Sequence, residues 1–243
     1  MAVFGRKKDD PVVEPVPWEG TGGVGGFVVG DVLRPAAFRR KALTGERAVR
    51  EPTMRDGVRY FAPAAVVTRL GEADDSTPSY ELHAAVEPGG ASLCVLTPAS
   101  RGTAYRVTDA DGTELGHVHR TSAAKRALQH GWWLRQPGHP EIVARYHWAR
   151  GSAKDIAARG REKAVRGAGA LVSGVVDSVA GLGAEGGDQR STHVWKPVTW
   201  RTGDEEEDLV LTSGHLDGVR VYHPHAPWLD RRLAFALAVL REA

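Results

Sequence analysis

Cysteine is nearly absent: Cys94 stands alone in 243 residues. A single thiol cannot close an intrachain disulfide, which fits a reducing compartment and points to the cytoplasm. Isoleucine and methionine are equally scarce, at two residues each. Long apolar runs are missing too. No stretch matches the ~18 uncharged apolar residues that a membrane-spanning helix needs. The basic N-terminus has no apolar segment behind it, because Pro11, Glu14, Pro15 and Pro17 interrupt the place for one, so no secretory signal is read. A charge excess is also lacking, with 32 Lys and Arg against 30 Asp and Glu. A protein that coats nucleic acid along its surface needs a large positive excess, so no nucleic-acid partner is expected.

Recognisable catalytic signatures are missing as well. The sequence holds no phosphate-binding G-x-x-x-x-G-K-[ST], no H-E-x-x-H and no G-x-S-x-G. Gly20-x-Gly22-x-x-Gly25 and Gly181-x-Gly183-x-x-Gly186 mimic a dinucleotide fingerprint. Neither has the strand before it and the helix after it that would aim a helix N-terminus at a pyrophosphate. Both read as linker glycine. The chain is therefore expected to be no enzyme and to use no cofactor.

What is present favours strands. Valine reaches 28 residues and tryptophan seven, both strand formers. Apolar alternation at Tyr80, Leu82, Ala84 and Val86 marks one strand, and 91–97 returns after Pro88-Gly-Gly90. Segments 103–109 and 113–120 flank Asp111-Gly112, a strong hairpin signal. Segments 132–136 and 141–148 flank Pro137-Gly138, and 194–201, 209–213 and 219–222 follow with short turns between them. The spacing predicts an antiparallel barrel or sandwich. Residues 1–26, rich in Pro and Gly, read as a disordered tail. Residues 27–70 are mixed and yield no clear assignment.

Two segments break the rhythm. Residues 151–190 carry Leu171, Val172, Val175 and Val179 at helical spacing, after Lys154, Arg159, Arg161, Lys163 and Arg166. This reads as a flexible or helical insertion in a single domain spanning 27–243. The second is 233–240, eight residues without a polar side chain. A surface helix shows a polar stripe. This one is apolar all round and must be enclosed by protein, with Asp230 favourably placed for its dipole.

A barrel closed by an apolar terminal helix resembles the tubby C-terminal-like superfamily, near its LURP-one-related and phospholipid-scramblase-like branches. Tyr105-Arg-Val-Thr-Asp-Ala-Asp-Gly-Thr-Glu-Leu-Gly116 is similar to that group's aromatic-x-V-x-D-x-x-G-x-x-L/V-G hairpin. Residues 218–240 are similar to its last strand and core helix. The resemblance implies a mainly β fold: an antiparallel closed β-barrel around a hydrophobic C-terminal helix, here with a helical insertion. It also implies a non-enzymatic, lipid- or membrane-associated role.

The residues supply candidates for such a role. Arg106, Arg120, Lys125, Arg126, Arg135 and Arg145 fall on or near consecutive strands, where guanidinium groups can grip an anionic phospholipid headgroup. The 151–182 stretch can lie on an anionic membrane, cations in the headgroups and its Val/Leu face at the acyl boundary. The protein would then sit in the cytoplasm at the inner membrane face. The competing reading is a structural or protein-interaction module whose 151–190 segment orders itself on a partner. Lesser features read plainly. Cys94 is a buried inert thiol, 204–208 a solvated acidic tip, and His117-x-His119 and His223-x-His225 ordinary surface histidines.

Overall fold

The computed structural model describes residues 12–18, 25–72, 76–86, 89–100, 103–121, 131–146, 197–203 and 208–243. Its strands are β1 (Phe27–Arg34), β2 (Leu43–Arg55), β3 (Val58–Leu70), β4 (Ser79–Ala84), β5 (Ser92–Pro98) and β6 (Ala104–Thr108). They continue as β7 (Glu114–Arg120), β8 (Trp132–Arg135), β9 (Ile142–Tyr146), β10 (Val198–Thr202), β11 (Leu209–Leu216) and β12 (Val219–Pro224). One helix follows, α1 (Arg231–Arg241). Each strand pairs antiparallel with its sequence neighbours, and β1 pairs with β12 through Phe27↔Tyr222 and Val28↔Val221. The twelve strands therefore form a closed barrel, mainly β as expected.

The helix solves a packing problem. Side chains alone fill a barrel of about eight strands, and wider barrels leave space inside. An α-helix with its side chains is about 10–12 Å across. Here α1 occupies the interior, and every residue from Leu233 to Val239 is 0 % exposed. Ala234, Ala236 and Ala238 keep it slim, while Phe235 meets Phe27 edge-on at 4.7 Å.

Both helix ends are tied to the wall. At the start, Asp230 is the N-cap and accepts from the Arg232 N–H at 2.8 Å. Gln136 holds the preceding turn, accepting from the Asp230 N–H and donating to the Trp228 carbonyl. The helix thus begins at Arg231. At the far end, Glu242 accepts from Arg220 and from the Tyr222 hydroxyl, each at 2.9 Å. The Arg241 guanidinium lies over Trp200 at 4.9 Å.

Residues 27–70, unassigned from sequence, form three strands, two of them 13 residues long. The β2–β3 hairpin shifts register between Val49 and Arg50, where Pro63 faces Arg50. Its distal half bends over the outside of β1 and β12. There Phe61 packs with Val28 and Val221 in a second small core, and Arg59 reaches Asp217 at 3.3 Å. Arg50, 2 % exposed, fills the bend and donates to the carbonyls of Gly30, Phe61 and Glu46.

Residues 12–18, which composition assigns to the disordered tail, lie against the barrel. The Val16 N–H donates to the Pro63 carbonyl, Arg55 donates to the Val12 carbonyl, and Trp18 meets Phe235 edge-on at 5.6 Å. One half-buried tryptophan packed on the core helix and two main-chain anchors suffice to order a short extended segment that composition alone cannot recognise.

Strand direction gives the barrel two unlike ends. One rim holds the ends of β1, β3, β5, β7, β9 and β11 and the C-terminus of α1. We call it the upper rim. The β1–β2 turn lies on it. The lower rim holds the turns at 109–113 and 136–141, with Gly203 and Asp208.

Candidate functional site

The hairpin motif can now be given causes. Asp109 accepts from the N–H groups of Asp111 and Thr113 at 3.0 and 2.8 Å, which closes the β6–β7 turn. Gly112 sits in that turn at φ +83°, where a side chain would be strained. Gly116, at φ +149°, lets β7 approach its neighbours. A Cβ there would lie 2.3 Å from the Arg135 carbonyl oxygen and 3.1 Å from Leu233 Cδ2. Tyr105, Val107 and Leu115 face the core. All these residues build the barrel, and none is left over for a ligand.

The outward positions differ. On the wall, Arg106 pairs with His117 across β6–β7, and His117 pairs with Arg135 across β7–β8. Directly paired residues share a face. Their neighbours Val107, Val118 and Leu134 are 0 % exposed, so this row points to solvent. Both arginines are exposed, and neither has a carboxylate partner among the described residues. His117 lies 3.5 Å from Glu114, and the β8–β9 register carries Glu141, exposed, to the position beside Arg135. Next to it the His119 ring stacks on Trp133, with centroids 3.5 Å apart and planes within 3°. Burial, with lesser help from His117 and Arg135, pushes the His119 pKa down to about 4.

The other candidates fare differently. Arg120 has inward parity and ends at the upper rim, its guanidinium over the Trp132 ring at 5.5 Å, so it does not join the row. Strand alternation separates it from Arg106 and Arg135, which sequence proximity alone had grouped with it. Arg145 lies on β9 opposite Thr199. Lys125 and Arg126 fall outside the described residues. So do Lys154, Arg159, Arg161, Lys163, Arg166, Leu171, Val172, Val175 and Val179, with the whole 151–190 segment and most of the 204–208 tip.

Among the described residues no three His, Cys, Asp or Glu converge as a metal site would require, so the two His-x-His motifs stay pairs. Cys94 is fully buried and its thiol pKa is pushed up to about 12 by burial, which leaves it unreactive. No helix among the described residues is long and apolar enough to cross a membrane. Two clefts flank the bent β2–β3 hairpin outside the barrel. One of about 280 Å³ lies under residues 12–16, and one of about 370 Å³ lies beside Gly26, Glu51 and His223.

Sequence reading missed two features. One is His117 as the centre of the Arg106–Arg135 row, which depends on strand register. The other is Phe38, 86 % exposed at the β1–β2 turn. A signal for it existed: a phenylalanine with no apolar alternation around it, in Pro35-Ala-Ala-Phe-Arg-Arg-Lys41. No protein-family model, curated protein or solved structure matches this chain.

Proposed function

We propose that this protein is a non-enzymatic, membrane-associated binding protein of the scramblase or LURP-one type, which holds the phosphate of an anionic lipid headgroup on its outer wall. The observation that carries this reading is the solvent-facing Arg106–His117–Arg135 row. The filled barrel supports it, because α1 takes the interior space in which a ligand-carrying barrel would hold its cargo. Two guanidinium groups on alternate strands, about 10 Å apart from the ordinary strand spacing, can approach one phosphate from both sides. His117 between them adds a ring N–H donor.

The test is titration with a short-chain phosphatidylserine that stays monomeric in water. Exposed charge pairs contribute about 1 kcal/mol each. Arg106→Glu with Arg135→Glu should therefore weaken binding at least ~10-fold, since tenfold corresponds to about 1.4 kcal/mol. Binding by the double variant equal to wild type, or no binding by wild type at low salt, sinks the reading.

A further inference from the structure

The β1–β2 turn is the oddest place on the surface. The Ala37 and Arg40 backbones bond reciprocally at 3.0 and 2.9 Å, which leaves Phe38 and Arg39 at the tip. Phe38 is the one exposed aromatic ring among the described residues, and only the Arg39 guanidinium, 5.0 Å from its centroid, covers it. Arg39 has φ +62°, a conformation that glycine adopts more easily. The sequence keeps a cation there despite the strain. Residues 34–42 hold Arg34, Arg39, Arg40 and Lys41 and no carboxylate. Asp31 and Glu46 lie further back along the two strands, and Asp217 on the same rim is paired with Arg59.

The turns of the opposite rim are richer in acids, with Arg135 at the end of β8 beside them. They carry Asp109, Asp111, Glu114, Glu141 and Asp208. The β1–β2 turn is thus a local cationic patch, set apart from Glu72 and Asp217 elsewhere on its rim, and an anionic surface attracts it.

We propose that the upper rim docks end-on onto an anionic phospholipid bilayer, with Phe38 entering the interface and Arg39, Arg40 and Lys41 resting on lipid phosphates. This rests on the lipid-binding reading but uses a different surface. β1 and β2 stand diametrically opposite β7 in the barrel order, so the Arg106–His117–Arg135 row stays on the far wall. A solvent-exposed aromatic ring ringed by cations suits the headgroup layer, where ring and charge each find their own environment.

The experiment labels Phe38→Cys with an environment-sensitive fluorophore; buried Cys94 does not compete for the label. Vesicles of equal parts phosphatidylserine and phosphatidylcholine should raise and blue-shift the emission, and nitroxide-bearing lipid should quench it. Phosphatidylcholine alone should not, and neither should the same label at Thr113→Cys on the lower rim. In unlabelled protein, Phe38→Ala should weaken vesicle binding by about fivefold. Each anionic-surface cation is worth roughly fivefold, so reversing Arg39, Arg40 and Lys41 together should cost about 100-fold or more. Charge reversal at Arg106 and Arg135 should leave the Phe38 label response in place. Vesicle binding that survives in both loop variants, or an equal response from the Thr113 label, overturns end-on docking. It leaves the headgroup row, read by the monomeric lipid, standing on its own. An insertion signal without monomeric-lipid binding does the reverse.

Discussion

Gly116→Ala tests the geometry of the barrel and helix more sharply than any large truncation. The added Cβ would stand 2.3 Å from the Arg135 main-chain oxygen, which a strand cannot easily move, and 3.1 Å from Leu233 Cδ2 on the core helix. Crowding of this kind costs about 1–3 kcal/mol. A further ~1–3 kcal/mol comes from placing a side chain at φ +149°. Against these, the lower freedom of alanine in the unfolded chain returns only about 0.4–1 kcal/mol. The net is a loss of about 3 kcal/mol. For a domain of this size, each kcal/mol shifts the melting midpoint by about 2–4 °C, so a fall near 10 °C is expected by circular dichroism or calorimetry. Gly214→Ala is the internal control: it lies in β11 with nothing within 4 Å of a new Cβ. It should change stability by no more than about 1 kcal/mol, in either direction. Equal midpoints for Gly116→Ala and wild type would mean that β7 does not press against the helix as described.

Two other perturbations read separate terms. Leu237→Asp places a carboxylate at a position that is 0 % exposed inside the barrel, a penalty of several kcal/mol that rivals the whole stability of a domain. The variant should lack a cooperative melt, and a near-normal transition would show that α1 is not the core. His119 carries a pH dependence. Its folded pKa is pushed to about 4 from 6.5, so the neutral ring stabilises the fold fully above pH 6.5 and loses that contribution as the pH falls toward 4. His119→Phe keeps a ring on Trp133 but cannot titrate. Its melting midpoint should gain on wild type between pH 6.5 and 4, and parallel curves over that range would remove His119 as the cause.

The parts of the fold legible in sequence share one property: each strand has one face on the core and the other in water along its whole length. β4 to β9, with Asp111-Gly112 and Pro137-Gly138 between them, show period-two alternation because one face meets the core and the other meets water. The apolar 233–240 run announced a buried helix for the same reason that it could not be a surface one. β1 to β3 were illegible because the β2–β3 hairpin serves two layers. Above the bend at Arg50 and Pro63 it is barrel wall; beyond it, Phe61 is buried against β1 and β12 from outside, while Tyr60 on the other face lies under residues 12–16. A strand buried first from one side and then from the other loses simple alternation. The candidate row was hidden by register. The β6–β7 pairing shifts between Val107 and Thr108, so counting back from the turn does not place Arg106 opposite His117.

This division bears on what the hairpin motif can mean. Asp109 closes a turn, Gly112 supplies a positive φ, Gly116 admits a close approach, and Tyr105, Val107 and Leu115 pack inward. A motif whose every member has a structural task marks an architecture and carries no information about a ligand, because any barrel wound around a helix needs the same parts. Residues that fold does not require are the ones free to bind. Arg106 and Arg135 could be glutamine without loss of packing, and Phe38 could be serine with a gain in solubility. Their side chains stand in water at a small cost that folding does not offset. Substitutions in the motif should thus register in melting curves, and substitutions at Phe38, Arg106 or Arg135 only in binding. A stability loss above about 1 kcal/mol at the exposed trio would place them in the scaffold and remove the reason for reading them as a site.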